Sequence, residues 1–228
     1  MVRLASLVVA AALLVGCGSG GDRVTVSAAS SLAVVFGEME AAFEAEHPGV
    51  DVVLNLGGSS SLAAQISAGA DVDVFATADA AHLRGIATGT PFATNDMVVA
   101  TPRGNPGGLA GIADFSDPAL FLGLCAVGVP CGDLAREALH SAGIDPTIDT
   151  EEPDVRSLVT KLLAGELDGG IVYRTDLPGL TGIEIPPEHR TTARYEVAAL
   201  TSEGEPFTAF VLSDAGRSIL RAHGFGTP

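Results

Sequence analysis

The amino-acid sequence predicts an α/β protein built from two lobes of roughly 100 residues each. Three observations favour this fold class. Strand, turn and helix patterns alternate from residue 24 onward, which is typical of a mostly parallel sheet flanked by helices. A segment rich in proline and glycine, 102–111, interrupts the alternation. The alternation starts again at Phe121, as it would if the chain crossed into a second lobe.

The first half of the chain carries clear strand and helix signals. Residues 24–27 alternate as a short strand, and the next apolar residues recur at helical spacing. These helical positions are Leu32, Val35, Phe36, Met39 and Phe43. A second strand, 50–56, ends at two glycines, after which three serines from Ser59 begin another helix. Strands are also predicted at 71–77 and 97–101.

The second half repeats the pattern. Apolar runs and helical periodicities follow one another, separated by turns that contain glycine or proline. The predicted elements are strands at 121–127, 171–173, 195–200 and 207–212, and helices at 134–142, 155–163 and 215–223. On this pattern, 23–100 together with 196–228 forms lobe 1, and 101–195 forms lobe 2.

The first 22 residues are predicted to direct export and to lie outside the folded lobes. Residues 1–16 have a single basic residue, Arg3, before a long apolar run, as in a secretory signal peptide. Leu14-Val15-Gly16-Cys17 then resembles a bacterial lipobox, in which cleavage leaves a lipid-bearing Cys17 at the N-terminus. Residues 17–22 would form the lipidated end and its flexible tether. The alternative is an ordinary signal peptide followed by a chance cysteine.

Composition excludes several classes of function. The chain has 12 basic and 28 acidic residues and a net charge of -16, whereas a nucleic-acid binder needs Lys and Arg for phosphate contacts. The only lysine, Lys161, is followed by Leu162, which excludes a P-loop. Trp is absent and Tyr occurs twice, which argues against stacking of bases or sugars.

Catalytic and metal sites have little support in the sequence. Residues 57–61 depart from the Gly-x-Ser-x-Gly nucleophile motif at its last position, although a triad could be assembled from distant residues. The spacings His-x-x-x-His and Cys-x-x-Cys are absent, so no zinc or manganese site is predicted. Tyr173 and Tyr195 alone do not make a ferric site, and we interpret both as half-buried core residues.

The turns between strands and helices are the candidate functional positions, since ligands of open α/β sheets bind there. These turns offer hydroxyl and backbone N–H groups but no Lys, Arg or His. The turns are 29–32, 58–61, 130–132 and 153–155. Helix N-termini have unpaired donors and the positive end of the helix dipole, so several of them together favour an anion. The alternative is that each serine only caps its own helix.

Two cysteines remain once Cys17 is assigned to lipidation. An even pair in an exported chain, Cys125 and Cys131, predicts a disulfide that closes a small loop. The alternative is two free, buried thiols.

Several blocks of sequence, taken in order, resemble the periplasmic molybdate-binding protein family, the receptors of molybdate ABC transporters. The blocks are 24–32, 58–66 with 69–75, 95–102, 126–132, 154–156 and 170–176. Together the resemblance covers about residues 23–225. It implies a type II periplasmic-binding-protein fold of mixed, mostly parallel sheets, in which two lobes close on one oxyanion in the cleft between them.

The resemblance also implies five ligand contacts. Ser31 and Ser59 would supply hydroxyl and backbone donors from lobe 1. Cys131 and Val155 would supply backbone N–H groups from lobe 2, and Tyr173 would supply its phenol. Cys131 stands where the family commonly has Ala, and the loop before it is shorter, a departure that affects the loop geometry more than backbone donation.

The function implied is that of an extracytoplasmic receptor, held at the outer face of the cell membrane by its lipid. It would capture molybdate, and also tungstate, and deliver them to the permease of an ABC importer. We expect a monomer without enzymatic activity, cofactor, metal cation or nucleic-acid partner. Two alternatives remain open: a receptor for another tetrahedral oxyanion, such as sulfate or phosphate, and a secreted serine hydrolase that uses Ser31 or Ser59.

Overall fold

The computed structural model describes residues 22–228. The predicted signal peptide, the lipidation site Cys17 and the tether up to residue 21 lie outside the described residues. Among the described helices, none is both long and apolar enough to cross a membrane.

The described residues form nine strands and six helices, connected by turns of which some are 3-10 helices. The strands are β1 (Asp22–Ala29), β2 (Val50–Gly57), β3 (Val74–Thr77), β4 (Thr90–Thr101), β5 (Leu122–Cys125), β6 (Thr150–Glu152), β7 (Gly169–Tyr173), β8 (Thr181–Ile183) and β9 (Thr192–Ala199). The helices are α1 (Ala33–Glu46), α2 (Ser59–Ser67), α3 (Pro130–Ser141), α4 (Val155–Ala164), α5 (Glu205–Leu212) and α6 (Asp214–Ala222). The helices predicted after Leu32 and Ser59 and at 134–142, 155–163 and 215–223 are confirmed. A further helix that the sequence predicts from Ala78-Asp79 is wrong, because only a 3-10 turn, Ala80–Leu83, forms there.

Two groups of parallel strands give the molecule its two lobes. β1 pairs in parallel with β2 and β3, and β5 pairs in parallel with β6 and β7. The strand order is β2-β1-β3-β9-β4-β7-β5-β6, and β8 pairs with β4. The predicted α/β fold is confirmed, because parallel strands of each lobe end at turns that lead into helices.

Strands β4 and β9 connect the two lobes. Residues 90–96 of β4 pair antiparallel with β9, and residues 97–100 pair with β7. On its other side, β9 pairs with β3. The lobe boundaries expected at 100 and 196 fall inside these two strands. β9 and β4 together therefore link the parallel strands of one lobe, through β3, to those of the other, through β7.

The predicted strand at 207–212 is wrong, because these residues form most of helix α5. Phe207 and Phe210, three residues apart, are both buried, and Pro206 lies in the first turn, where a helix tolerates proline. Phe207 packs edge-on against Phe43 of α1, with ring centroids 5.3 Å apart. A short apolar run does not by itself distinguish a buried strand from a buried helix.

Smaller differences from the predicted elements have local causes. β4 begins at Thr90, earlier than predicted, and accommodates Pro91 at a register irregularity. β6 and β8 have three residues each, too few for a periodic signal, and were not predicted. β3 covers only the last part of the predicted strand 71–77.

A disulfide joins the end of β5 to the first turn of α3. It links Cys125 and Cys131, whose Cα atoms are 5.7 Å apart. Both cysteines are buried. The chain packs tightly here, since a Cβ added to Gly132 would lie 2.2 Å from the carbonyl oxygen of Ala126. The bridge therefore fixes where α3 begins relative to the sheet.

We expect protein exported from cells to yield a Cys125–Cys131 linked peptide in mass spectrometry without reductant. Replacing both residues by Ala should lower the free energy of unfolding by about 2 kcal/mol, because a small loop is no longer closed in the unfolded chain. Urea unfolding with and without reductant measures this effect. Reductant should destabilise the unmodified protein and leave the double variant unchanged, and two free thiols in the exported protein would contradict the prediction.

Candidate functional site

A small cavity lies where four strand-to-helix turns meet. Its walls include all the positions that the sequence resemblance implies, namely Ser31, Ser59, Cys131, Val155 and Tyr173. The centre of a water-sized sphere can reach only about 10 Å³ within the cavity, whereas pockets for drug-sized molecules have about 300–1,000 Å³. A ligand of only a few atoms would therefore fill it.

The cavity wall has no cationic side chain. Its residues are Ala29, Ser30, Ser31, Gly57, Gly58, Ser59, Ala78, Val129, Pro130, Cys131, Asp154, Val155 and Tyr173. The only carboxylate among them, on Asp154, accepts a hydrogen bond from the backbone N–H of Ser157 at 2.9 Å. What the wall offers to a ligand is thus a set of hydroxyl groups and backbone N–H groups.

Three helices begin at this cavity. α2 and α3 have no side-chain cap at their N-cap residues, Gly58 and Val129. α4 is capped by Asp154, and Val155 occupies its first position, where a backbone N–H has no acceptor within the helix. The unpaired N–H groups and the positive ends of the helix dipoles favour an anion in the cavity.

Neither of the two predicted serines caps its own helix. The hydroxyl oxygen of Ser59 accepts a hydrogen bond from the backbone N–H of Ala78 at 3.2 Å. The hydroxyl oxygen of Ser31 lies 2.9 Å from that of Tyr195. Both serine side chains are buried. The alternative in which these serines only satisfy their own helix ends is therefore wrong.

Tyr173 and Tyr195 form a buried aromatic pair beside the cavity, with ring centroids 6.0 Å apart. Burial raises the pKa of Tyr173 well above its ordinary value, and the neighbouring Tyr195 and Asp176 raise it further. Burial also raises the pKa of Tyr195, against a smaller lowering by its hydrogen bond with Ser31. Both phenols are therefore neutral O–H groups near pH 7.

The sequence interpretation of both tyrosines as half-buried was wrong, and it missed Tyr195 as a neighbour of the site. Tyr173 ends β7, and Tyr195 lies in β9. These strands come together only because each pairs with β4. No local motif around Tyr195 indicates this proximity, although its place in a predicted strand late in the chain was correct.

The two lobes touch at the mouth of the cavity. A Cβ added to Gly58 would lie 2.5 Å from the carbonyl oxygen of Pro153 in the other lobe. The backbone of Gly58 has φ -63° and ψ 133°, which any residue can adopt. The glycine is therefore required by the close approach of the lobes and not by its own conformation.

A groove beside the cavity contains a buried carboxyl group. The groove is lined by residues that include Ser31, Val34, Arg156 and Asp176. Burial raises the pKa of Asp176 to about 7, while a hydrogen bond with the backbone of Tyr173 and the charge of Arg156 act in the opposite direction. Among the described residues, Oδ2 of Asp176 has no hydrogen-bond partner.

Among the described residues, the cavity has neither a cluster of metal ligands nor a serine hydroxyl group beside a base. The described residues contain no group of three His, Cys, Asp or Glu that could hold a metal ion. A serine nucleophile needs a base within hydrogen-bond reach, but the partners of Ser31 and Ser59 are Tyr195 and a backbone N–H. A Ser–His contact does occur between exposed groups of Ser141 and His189, away from the cavity wall.

The sequence and structure are similar to those of known proteins. Residues 24–226 match the family described as bacterial extracellular solute-binding protein. A protein named molybdate-binding protein ModA from Mycobacterium tuberculosis is 34% identical over an alignment 243 positions long, which covers 94% of this chain and 93% of that protein.

Two solved structures share the fold. The periplasmic molybdate-binding protein of Azotobacter vinelandii has a TM-score of 0.74 and 18% identity, covering 90% of this chain and 99% of that chain. The sulfate-binding protein SubI of Mycobacterium tuberculosis has a TM-score of 0.76 and 14% identity, covering 90% and 87% of the two chains. At such identities, these similarities establish the two-lobed fold alone.

The buried carboxyl group of Asp176 predicts a pH-dependent stability. Its pKa in the folded protein, about 7, lies above the ordinary value of 3.8. As pH rises from 4 to 7, the unfolded chain loses this proton and the folded protein keeps it, so folding should become less favourable by up to about 4 kcal/mol. Urea unfolding of the unmodified protein and of Asp176→Asn at each pH measures this loss.

Asp176→Asn should lack the loss of stability that Asp176 causes between pH 4 and 7, because the amide side chain does not titrate. Asp145 is exposed, so Asp145→Asn serves as the control and should behave like the unmodified protein. Parallel pH profiles for the unmodified protein and Asp176→Asn would refute the assignment.

Proposed function

Because the chain belongs to the family of bacterial extracellular solute-binding proteins, we propose that it captures molybdate outside the cytoplasm and delivers it to the permease of an ABC importer. Tungstate is a second ligand in this proposal, since the two oxyanions are nearly the same size. The relative named molybdate-binding protein ModA, similar over almost the whole chain, supports this choice of ligand.

One observation carries the proposal: neutral donors from both lobes converge on one small cavity. Ser31 and Ser59 donate through their hydroxyl groups from one lobe, and Tyr173 donates its phenol from the other. The backbone N–H groups of Cys131 and Val155 complete the set. A tetrahedral dianion offers acceptors in all the directions that such a set requires, and hydrogen bonds to a charged acceptor are stronger than those to a neutral one.

Neutral donors suit a receptor that has to release its ligand. They hold the dianion without a buried ion pair. Forming such a pair requires the desolvation of a cationic side chain as well as of the anion, and the strong attraction between buried charges would oppose release. A site that turns donors toward its ligand from every side also disfavours an anion that carries a proton, because the O–H of that anion would face other donors. Size then separates molybdate and tungstate from the smaller sulfate.

The cellular arrangement is part of the same proposal. Residues 1–16 direct export, and a lipid on Cys17 holds the receptor at the outer face of the membrane. The tether, predicted at 17–22, ends before Asp22, where β1 begins, and the receptor acts as a monomer that meets the permease. The lobes correspond to 23–100 with 196–228, and to 101–195.

We expect one tight site for molybdate and tungstate. Sulfate should bind at least about a hundredfold more weakly, a difference of roughly 2.7 kcal/mol, because it is too small to reach donors on both lobes at once. Calorimetric titration of ligand-free protein with molybdate, tungstate, sulfate and phosphate measures these affinities. Equal affinity for sulfate would remove the claim of selectivity and favour a general oxyanion receptor.

A substitution at the first position of α4 tests the backbone donor. Asp154 is extended, with φ -162° and ψ 168°, which is compatible with a following proline, and proline is tolerated at this helical position. Val155→Pro should therefore keep the helix but remove the N–H, at a cost of about 1.5–3 kcal/mol in binding free energy. Val155→Ala is the control, since it keeps the N–H and should have little effect on affinity.

Calorimetry gives the affinities, and thermal unfolding without ligand establishes that the proline variant is folded. A folded Val155→Pro protein with unchanged affinity for molybdate would mean that this N–H does not contact the ligand.

A further inference from the structure

We propose that Tyr195 is a positioning residue, whose hydroxyl group makes Ser31 donate its own hydrogen to the bound oxyanion. This inference rests on the proposed function. It concerns a residue outside the cavity wall, which acts on the ligand only through Ser31.

The position of the Tyr195 hydroxyl is fixed by its surroundings. Its side chain is completely buried. The ring packs edge-on against Phe92 and Phe225, with centroids 6.1 and 5.6 Å away, and it is tilted against Tyr173. A ring held on three sides cannot move its hydroxyl group to a different partner. The oxygen therefore stays 2.9 Å from that of Ser31.

The direction of the hydrogen bond between Tyr195 and Ser31 follows from the surroundings of the phenol, where the other polar side chain is that of Asn95. A buried O–H that makes no hydrogen bond loses about 1–3 kcal/mol, so the phenol has to donate to an acceptor. Asn95 also lies near this phenol, but its amide nitrogen donates to the hydroxyl oxygen of Thr175 at 2.8 Å. The carbonyl oxygen of that amide, Oδ1, has no hydrogen-bond partner among the described residues. Because Ser31 is the acceptor that the described residues place within hydrogen-bond distance of the phenol, at 2.9 Å, Tyr195 donates to Ser31.

The hydrogen of Ser31 is then available to the cavity. A hydroxyl group has one hydrogen and two lone pairs. Since one lone pair of Ser31 accepts from Tyr195, the hydrogen is free to point at a ligand. If Tyr195 were absent, the Ser31 hydroxyl could rotate and present lone pairs to the anion for part of the time.

The hydroxyl group of Ser59 also accepts a hydrogen bond, and the direction of this bond is certain because its donor is a backbone N–H. Its hydroxyl oxygen accepts from the backbone N–H of Ala78, a group that can only donate. Both serines at the cavity thus accept from a protein donor, and both keep their hydrogen for the ligand. Tyr195 does for Ser31 what a main-chain amide does for Ser59.

A double-mutant cycle tests this role. Tyr195→Phe keeps the ring and removes the hydroxyl group, and we expect its Kd for molybdate to rise about tenfold, as for loss of one hydrogen bond. Ser31→Ala should also weaken binding. In the Ser31→Ala protein, adding Tyr195→Phe should change Kd by less than about twofold, because the two groups act through one interaction. Calorimetric titration of the four proteins with molybdate measures the coupling.

A packing control separates positioning from stability. Phe207→Leu disturbs the aromatic core against Phe36 and Phe43 without removing a contact to the Tyr195 ring, so its melting temperature should fall while its Kd stays within about twofold of the unmodified protein. Circular dichroism of each ligand-free protein establishes that it is folded. If Tyr195 had only a structural role, Tyr195→Phe should behave like Phe207→Leu, with a lower melting temperature and an unchanged Kd.

The possible outcomes are distinguishable. If the unmodified protein binds no molybdate, the proposed function fails. If it binds and Ser31→Ala is weakened, but Tyr195→Phe keeps its affinity or the two effects add in the double variant, the positioning role is overturned. Normal binding by Ser31→Ala overturns it as well, since Ser31 would then not donate to the ligand.

Discussion

Unpaired N–H groups at the starts of α2, α3 and α4 share one small cavity, and this constraint explains most of the structure around it. Buried donors without an acceptor are costly, and the first turn of a helix always has several. The chain lacks side-chain caps on α2 and α3, so these groups remain available. A chain with a net charge of -16 can still favour an anion locally, because the helix ends and hydroxyl groups lie much closer to it than the surface carboxylates.

The sheet topology brings these helix ends together. In each lobe, parallel strands end at the same edge of the sheet, so that the turns after them face one cleft. β4 and β9 run through both lobes and set the cleft between them. The absence of a side chain at Gly58 then lets its backbone meet Pro153 across the mouth of the cavity. Fold, closure and donor placement thus depend on a few positions in these turns.

Much of the site could be predicted from the sequence, because its residues lie in turns with local signals. The serines that begin α2 and the Asp154 cap of α4 are examples of such signals. Tyr195 could not be placed, since its contact with Ser31 joins residues 164 apart through the pairing of β9. Residues 207–212 form a helix and not the predicted strand, because packing against α1 and not local sequence decides their conformation. Local chemistry was therefore predictable, and long-range pairing was not.

A crystal structure of the complex with molybdate would test the central claim most directly, namely that uncharged donors from both lobes hold the anion. We expect anion oxygens about 2.7–3.1 Å from the hydroxyl groups of Ser31, Ser59 and Tyr173 and from the backbone nitrogens of Cys131 and Val155. We also expect that no Lys or Arg side chain contacts the anion. Molybdate bound outside this cavity, or held there by a cationic side chain or a metal ion, would contradict it.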